Sequence, residues 1–158
     1  MTASVQEAVG ILQAALASVQ AQTHGALGLH LKQAEVDLEL EVVKKVGVDF
    51  EFKVFGMGGS AGAHATSNDK QSIKLVLNPA PIKAAADLPP SDKLAKAIIA
   101  LAADANAVKS QVAGQFTLGE FTLTVSFGFT RDGKAQVFAG AEGSAANTHS
   151  ITLTFTVV

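Results

Sequence analysis

With 158 residues, 48% of them hydrophobic, the chain has material for a core of ordinary size, and its 16% charged residues fall below the roughly 25% usual in soluble domains. A net charge of −2, with the twelve Lys and Arg dispersed, leaves no basic stripe for nucleic acid, and zero cysteines remove disulfides, thiolate metal sites and thiol nucleophiles together. No apolar run approaches the roughly 18 residues of a spanning helix, and Met1 to Glu7 carry no basic leader region, so no membrane span is expected and a cytoplasmic location is the default.

In chain order, Val5, Val9, Leu12, Leu16 and Val19 recur at steps of four and three, which predicts a helix over 4–22 with Ser4 and Glu7 as a capping box. Alternating apolar residues then predict strands over 29–32, 35–44, 48–55 and 71–77, the middle pair joined by a short turn at 44–47. Residues 80–90, preceded by Pro79 and carrying Pro81, Pro89 and Pro90 near their two ends, read as a linker between a first unit, 1–79, and a second, 91–158. Ser91 is a natural N-cap for a second helix striped by Leu94, Ile98, Leu101, Ala105, Val108 and Val112. Strands follow over 115–118, 120–130, 135–141 and 149–157, with Asp132-Gly133 marking a hairpin.

The two units repeat one plan. Each has a helix, a long alternating strand opened by a small residue and Glu (Ala34-Glu35, Gly119-Glu120), a turn, and a strand ending in Val54-Phe55 or Val137-Phe138. Each closes on a strand beginning Ser72-Ile73 or Ser150-Ile151. The expected fold class is therefore α+β: a tandem pseudo-repeat, each unit one helix packed on an antiparallel sheet of three or four strands, with a core shared between units. Val9, Leu12, Leu16, Val36, Leu38, Leu40, Phe52, Leu101, Leu123, Phe127, Ile151, Leu153 and Phe155 are among its expected members.

The units differ on the other strand face. In the first it carries Glu35, Asp37, Glu39 and Glu41; in the second it carries Thr122, Thr124 and Ser126, with Thr152, Thr154 and Thr156 on the closing strand. These residues are the candidate partner surface. As a metal site the carboxylates are spaced unfavourably, since successive ones lie about 6.5–7 Å apart along a strand. Lys44, Lys45, Lys53 and Lys74 are the natural compensators, and in the simplest hairpin register Asp49 and Glu51 stand opposite the acidic row.

Other candidate chemistry is thin. Gly56 to Gly62 is glycine-rich but is followed by Ala63-His64-Ala65-Thr66 without helical periodicity or a Gly-Lys-Ser/Thr, so it reads as a hairpin connection and not a phosphate loop. His24, His30, His64 and His149 lack metal-ligand spacing and read as surface or loop residues, and Ser60 sits in no Gly-x-Ser-x-Gly elbow. No catalytic residue, cofactor or metal is expected, and the chain is not expected to be an enzyme.

The segments Val5 to Leu12, Ala34 to Lys45, Val48 to Phe55 and Ile73-Lys74-Leu75-Val76-Leu77-Asn78-Pro79 resemble the trypsin-co-occurring domain 2 family, over about residues 4–79. The resemblance implies a bacterial module encoded near trypsin-like peptidases and NTPase-centred conflict systems. Because this chain carries no peptidase triad of its own, it implies a neighbour or partner in place of an activity. The expected function is thus a non-catalytic protein-binding or adaptor module. The alternative is a self-assembling structural protein that oligomerises through edge strands, the last strand above all, or through helix faces.

Overall fold

The computed structural model describes residues 3–45, 48–54, 70–79, 93–112, 114–129, 134–137 and 149–157. Helix α1 (Ala3–Leu27) leads through Gly28, whose φ of 64° supplies the left-handed turn, into a 17-residue strand, β1 (Leu29–Lys45). The Asn106 amide, on the second helix, donates to the Leu27 carbonyl at 3.4 Å and so satisfies one of the carbonyls left open at the end of α1. Strands β2 (Val48–Val54) and β3 (Lys70–Leu77) complete the first half. The second half is α2 (Lys93–Val112), β4 (Glu120–Phe129), β5 (Ala135–Gln136) and β6 (His149–Val157). The capping box, the Pro-rich linker, the Ser91 cap and both glycine-rich loops lie outside the described side chains or residues.

The class is α+β as expected, with two helices on antiparallel sheet, and the described strands of both units run on into one six-stranded sheet. Strand β1 joins the halves. Its residues 34–41 pair with β3 and its residues 29–37 pair with β6, so the overlap places β3 and β6 on opposite edges. Strand β2 pairs with residues 40–45, overlapping β3 but not β6, and therefore continues along the edge that β6 occupies. Strand β6 is held between β1 and β4, which makes the last strand of the sequence the central one of the sheet. The edge expected to be uncovered there is filled from within the chain.

The two halves pair their strands in one order, but with the register displaced by two residues from the sequence match of Glu35 with Glu120. Glu39 faces Ser72 as Ser126 faces Ser150, and Glu41 faces Lys53 as Gly128 faces Gln136. Each half thus has a first strand that forms a hairpin with the second and pairs with the third. One stretch departs from the expectation. Residues 115–118 form a turn and irregular backbone where strand was expected, and the β4–β6 ladder is continued only by the Val157 N–H, which bonds Gly119 O at 2.9 Å.

Both helices cover one face of the sheet and pack on each other. The core beneath them holds Leu12 and Val19 of α1, Val36 and Leu38 of β1, Leu94 and Ile98 of α2, and Phe127, Ile151, Leu153 and Phe155, each 0% exposed. Small side chains complete the helix contacts: Ala8, Ala15, Ala95 and Ala102 are no more than 2% exposed, which lets backbones approach closely. On α1 these alanines replace Val9, which is only half-buried. On α2 the apolar stripe is buried only at its start, leaving Leu101 40% and Val108 39% exposed, contrary to the core role expected of Leu101.

Candidate functional site

Alternation along β1 sends Ala34, Val36, Leu38 and Leu40 to the helix-covered face, and Glu35, Asp37, Glu39 and Glu41 to the opposite one, which no described element covers and which is called the uncovered face. Register carries this division across the sheet. One row on the uncovered face runs Val76, Glu35, Thr152, Thr124; the next runs Lys74, Asp37, Ser150, Ser126. Thr154 and Thr122 follow beside Gln33, and Thr156 stands between His30 and Glu120. All the residues of the candidate surface therefore share a single face, formed where the two halves meet.

Its polar groups largely answer one another. Thr122 and Thr154 hydroxyls lie 3.3 Å apart and those of Thr124 and Thr152 3.0 Å apart, so the β4–β6 pair is tied by hydroxyl bonds as well as backbone. Lys74 Nζ reaches Glu35 at 3.3 Å, and Lys32 Nζ reaches Glu120 at 3.4 Å. At such exposure these ion pairs contribute about 0–1 kcal/mol and matter more for where they place the charges. In register Glu41 stands opposite Lys53 on β2 and Asp37 opposite Lys74 on β3, so lysine positions face the acidic row, and Glu51 stands opposite Val43. Asp37 Oδ1 is buried among its neighbours without a hydrogen-bond partner. Among the described residues no group of three metal-ligating side chains converges.

A second feature lies at the side of the molecule. Between α1 and the end of β3 opens a cleft of about 520 Å³, with Leu16, Leu31, Ala34 and Leu77 among its apolar lining and Gln13, Gln20 and Asn78 supplying amides. Gln13, Leu16, Ala17 and Gln20 reach it from α1 because steps of three and four return to the same helix side. Among the described residues no charged side chain lines it.

Residues 3–79 match the model of the family described as trypsin-co-occurring domain 2. The first unit belongs to that family. No curated protein and no solved structure matches the chain. The trypsin-co-occurring domain 2 unit spans α1, β1, β2 and β3, so it contains every described residue lining the cleft and the whole carboxylate row. The hydroxyl part of the uncovered face lies beyond the match, on β4 and β6.

Histidine placement differs from the sequence-based expectation at one position. His24 and His30 are exposed, as expected, and His64 lies outside the described residues. His149 is 1% exposed, its ring 5.5 Å from that of Phe127 and 5.2 Å from that of Phe129. Its Nδ1 accepts the Glu39 N–H at 2.9 Å, at the point where β6 gives way to β2 along one edge of β1. The imidazole thus serves the join between the halves. The cleft was also missed, although the sequence held part of its signal: Gln13 and Gln20 are one heptad apart and flank Leu16 on what otherwise reads as an apolar stripe.

Proposed function

We propose that the chain is a non-catalytic protein-binding or adaptor module that works beside a trypsin-like peptidase or an NTPase in a bacterial conflict system. The observation that supports this reading is the uncovered sheet face. The helices seal one side, and the other presents an ordered surface to which both halves contribute. Hydroxyls already bonded to each other lose little when a partner displaces water from them, while the carboxylate row gives the partner an orientation through its charge. The family's naming for co-occurrence with trypsin supports the kind of neighbour.

The test is co-purification of the full chain with a trypsin-like peptidase encoded beside it, followed by titration of charge-introducing variants on the face. Thr124→Lys and Thr154→Lys are expected to weaken the complex at least about tenfold while leaving the circular dichroism spectrum unchanged. Undiminished binding by both would remove the face from the interaction.

One observation favours self-assembly as a second reading. Leu101 and Val108 continue the a/d spacing of α2 onto an exposed strip, and Phe116, just past the helix, is 71% exposed. Multi-angle light scattering decides between the readings: a dimer dissociated by Leu101→Lys with Val108→Lys favours assembly, and a monomer at all concentrations disfavours it.

A further inference from the structure

We infer that the cleft beside β3 receives an extended, uncharged peptide segment of a partner protein, added as a further strand to the β3 edge. The inference rests on the protein-binding reading and gives that reading a specific site. Three features of the structure carry it. Strand β3 pairs only with β1 among the described residues, so its second row of backbone N–H and C=O groups faces no described strand and matches the hydrogen bonding of an incoming chain. The cleft opens at the end of that same edge, with α1 as its far wall, so a side chain projecting from an added strand has an apolar recess in which to seat. The amides of Gln13, Gln20 and Asn78 bond neutral polar groups well and compensate a buried charge poorly, which selects for uncharged residues.

Among the described side chains of β3, the edge also lacks the defence such edges usually carry. A lysine projecting beyond an edge strand deters pairing, and Lys74 is in position to do so. Its ammonium instead turns across the uncovered face to Glu35, 3.3 Å away. Val76, 53% exposed, lies next to it and lines the cleft, so an apolar residue stands where the edge is open. Pro79 then closes the strand and fixes the end of any added ladder at about residue 78.

The experiment pans phage-displayed random octapeptides against the full chain and measures the best synthetic peptide by fluorescence anisotropy. Expected are uncharged, alternating apolar sequences whose binding slows amide hydrogen exchange along 71–77 and shifts resonances of residues 13–20. Ala17→Arg, which projects a long cation into the cleft from an exposed helix position, is expected to weaken binding at least about tenfold, and Gln13→Arg is the second variant should the first unfold. Lys96→Ala, exposed on α2 and away from both the cleft and the sheet face, leaves peptide binding unchanged. Selected peptides that ignore both cleft variants, or that leave β3 exchange unaltered, overturn the inference, as does recovery of no binder by folded protein. The peptidase complex is measured with the same variants. A complex that forms and tolerates Ala17→Arg defeats the cleft but leaves the adaptor reading standing, whereas cleft-dependent peptide binding without any peptidase complex defeats the peptidase neighbour alone.

Discussion

The side chain that joins the two halves is a histidine doing the work of a backbone carbonyl. Between the last β6 pair on β1, Asp37 with Ser150, and the first β2 pair, Leu40 with Val54, the Glu39 N–H would have no strand opposite it. His149 Nδ1 meets it at 2.9 Å, which requires the neutral ring with its proton on Nε2. His149→Phe keeps the ring packing against Phe127 and Phe129 but removes that acceptor, so it should cost about 1–3 kcal/mol in urea unfolding. His149→Ala also empties the ring volume and should cost more, about 3–5 kcal/mol. A Phe variant as stable as the parent would show that the bond contributes nothing. The glycines give a contrast in sign. Gly28 sits at φ 64°, and a Cβ there meets no atom within 4 Å, so Gly28→Ala pays only the left-handed backbone strain and should destabilise by about 1 kcal/mol. Gly10 lies within α1 with equally open space, and Gly10→Ala should stabilise by about 0.5–1 kcal/mol. Thermal unfolding of both variants checks the pair.

Element by element, what the sequence discloses depends on whether the deciding interaction is local. Helix existence, strand alternation and the hairpin pairing of β1 with β2 were legible because period and turn chemistry are written in adjacent residues. Partners of an edge are not. Val36, Ile151 and Val125 read as core from alternation alone, but nothing in those residues says that β6 inserts between β1 and β4, which only the three-dimensional register reveals. That insertion is why the acidic row and the hydroxyl rows, legible separately, proved to be one surface. The exposed half of α2 illustrates the converse: a regular stripe predicts an apolar face, and how far along the helix a cover extends depends on neighbours distant in sequence. Centrality has an energetic consequence. Leu153 is 0% exposed and faces Ala34 on one side and Leu123 on the other, so Leu153→Ala should cost about 3–5 kcal/mol. Leu75, half-buried on the outer strand β3, should cost clearly less when truncated the same way, and guanidinium melts of the two variants give the comparison.

At the scale of the molecule, the two halves share one sheet and one core, so their stabilities should be inseparable. Every strand of the second half's sheet reaches the first through β6. Pairs such as Leu29 with Val157 span nearly the whole chain, so loop-closure entropy must be met before that ladder forms, and folding should be slow for the size. Removing residues 80–158 would uncover the β1 edge from Leu29 to Asp37 and the core side chains Leu31, Ala34 and Val36. An edge so long and apolar seeks another strand. The fragment 1–79 is therefore expected to lack a stable monomeric fold and to recover order only by pairing with a second copy through that edge. Light scattering should find dimers or larger species, and exchange protection of amides 29–37 should rise with concentration. A fragment that stays monomeric with a single cooperative melt would mean that the first unit closes its own core, and that β6 is an addition to it instead of its missing strand.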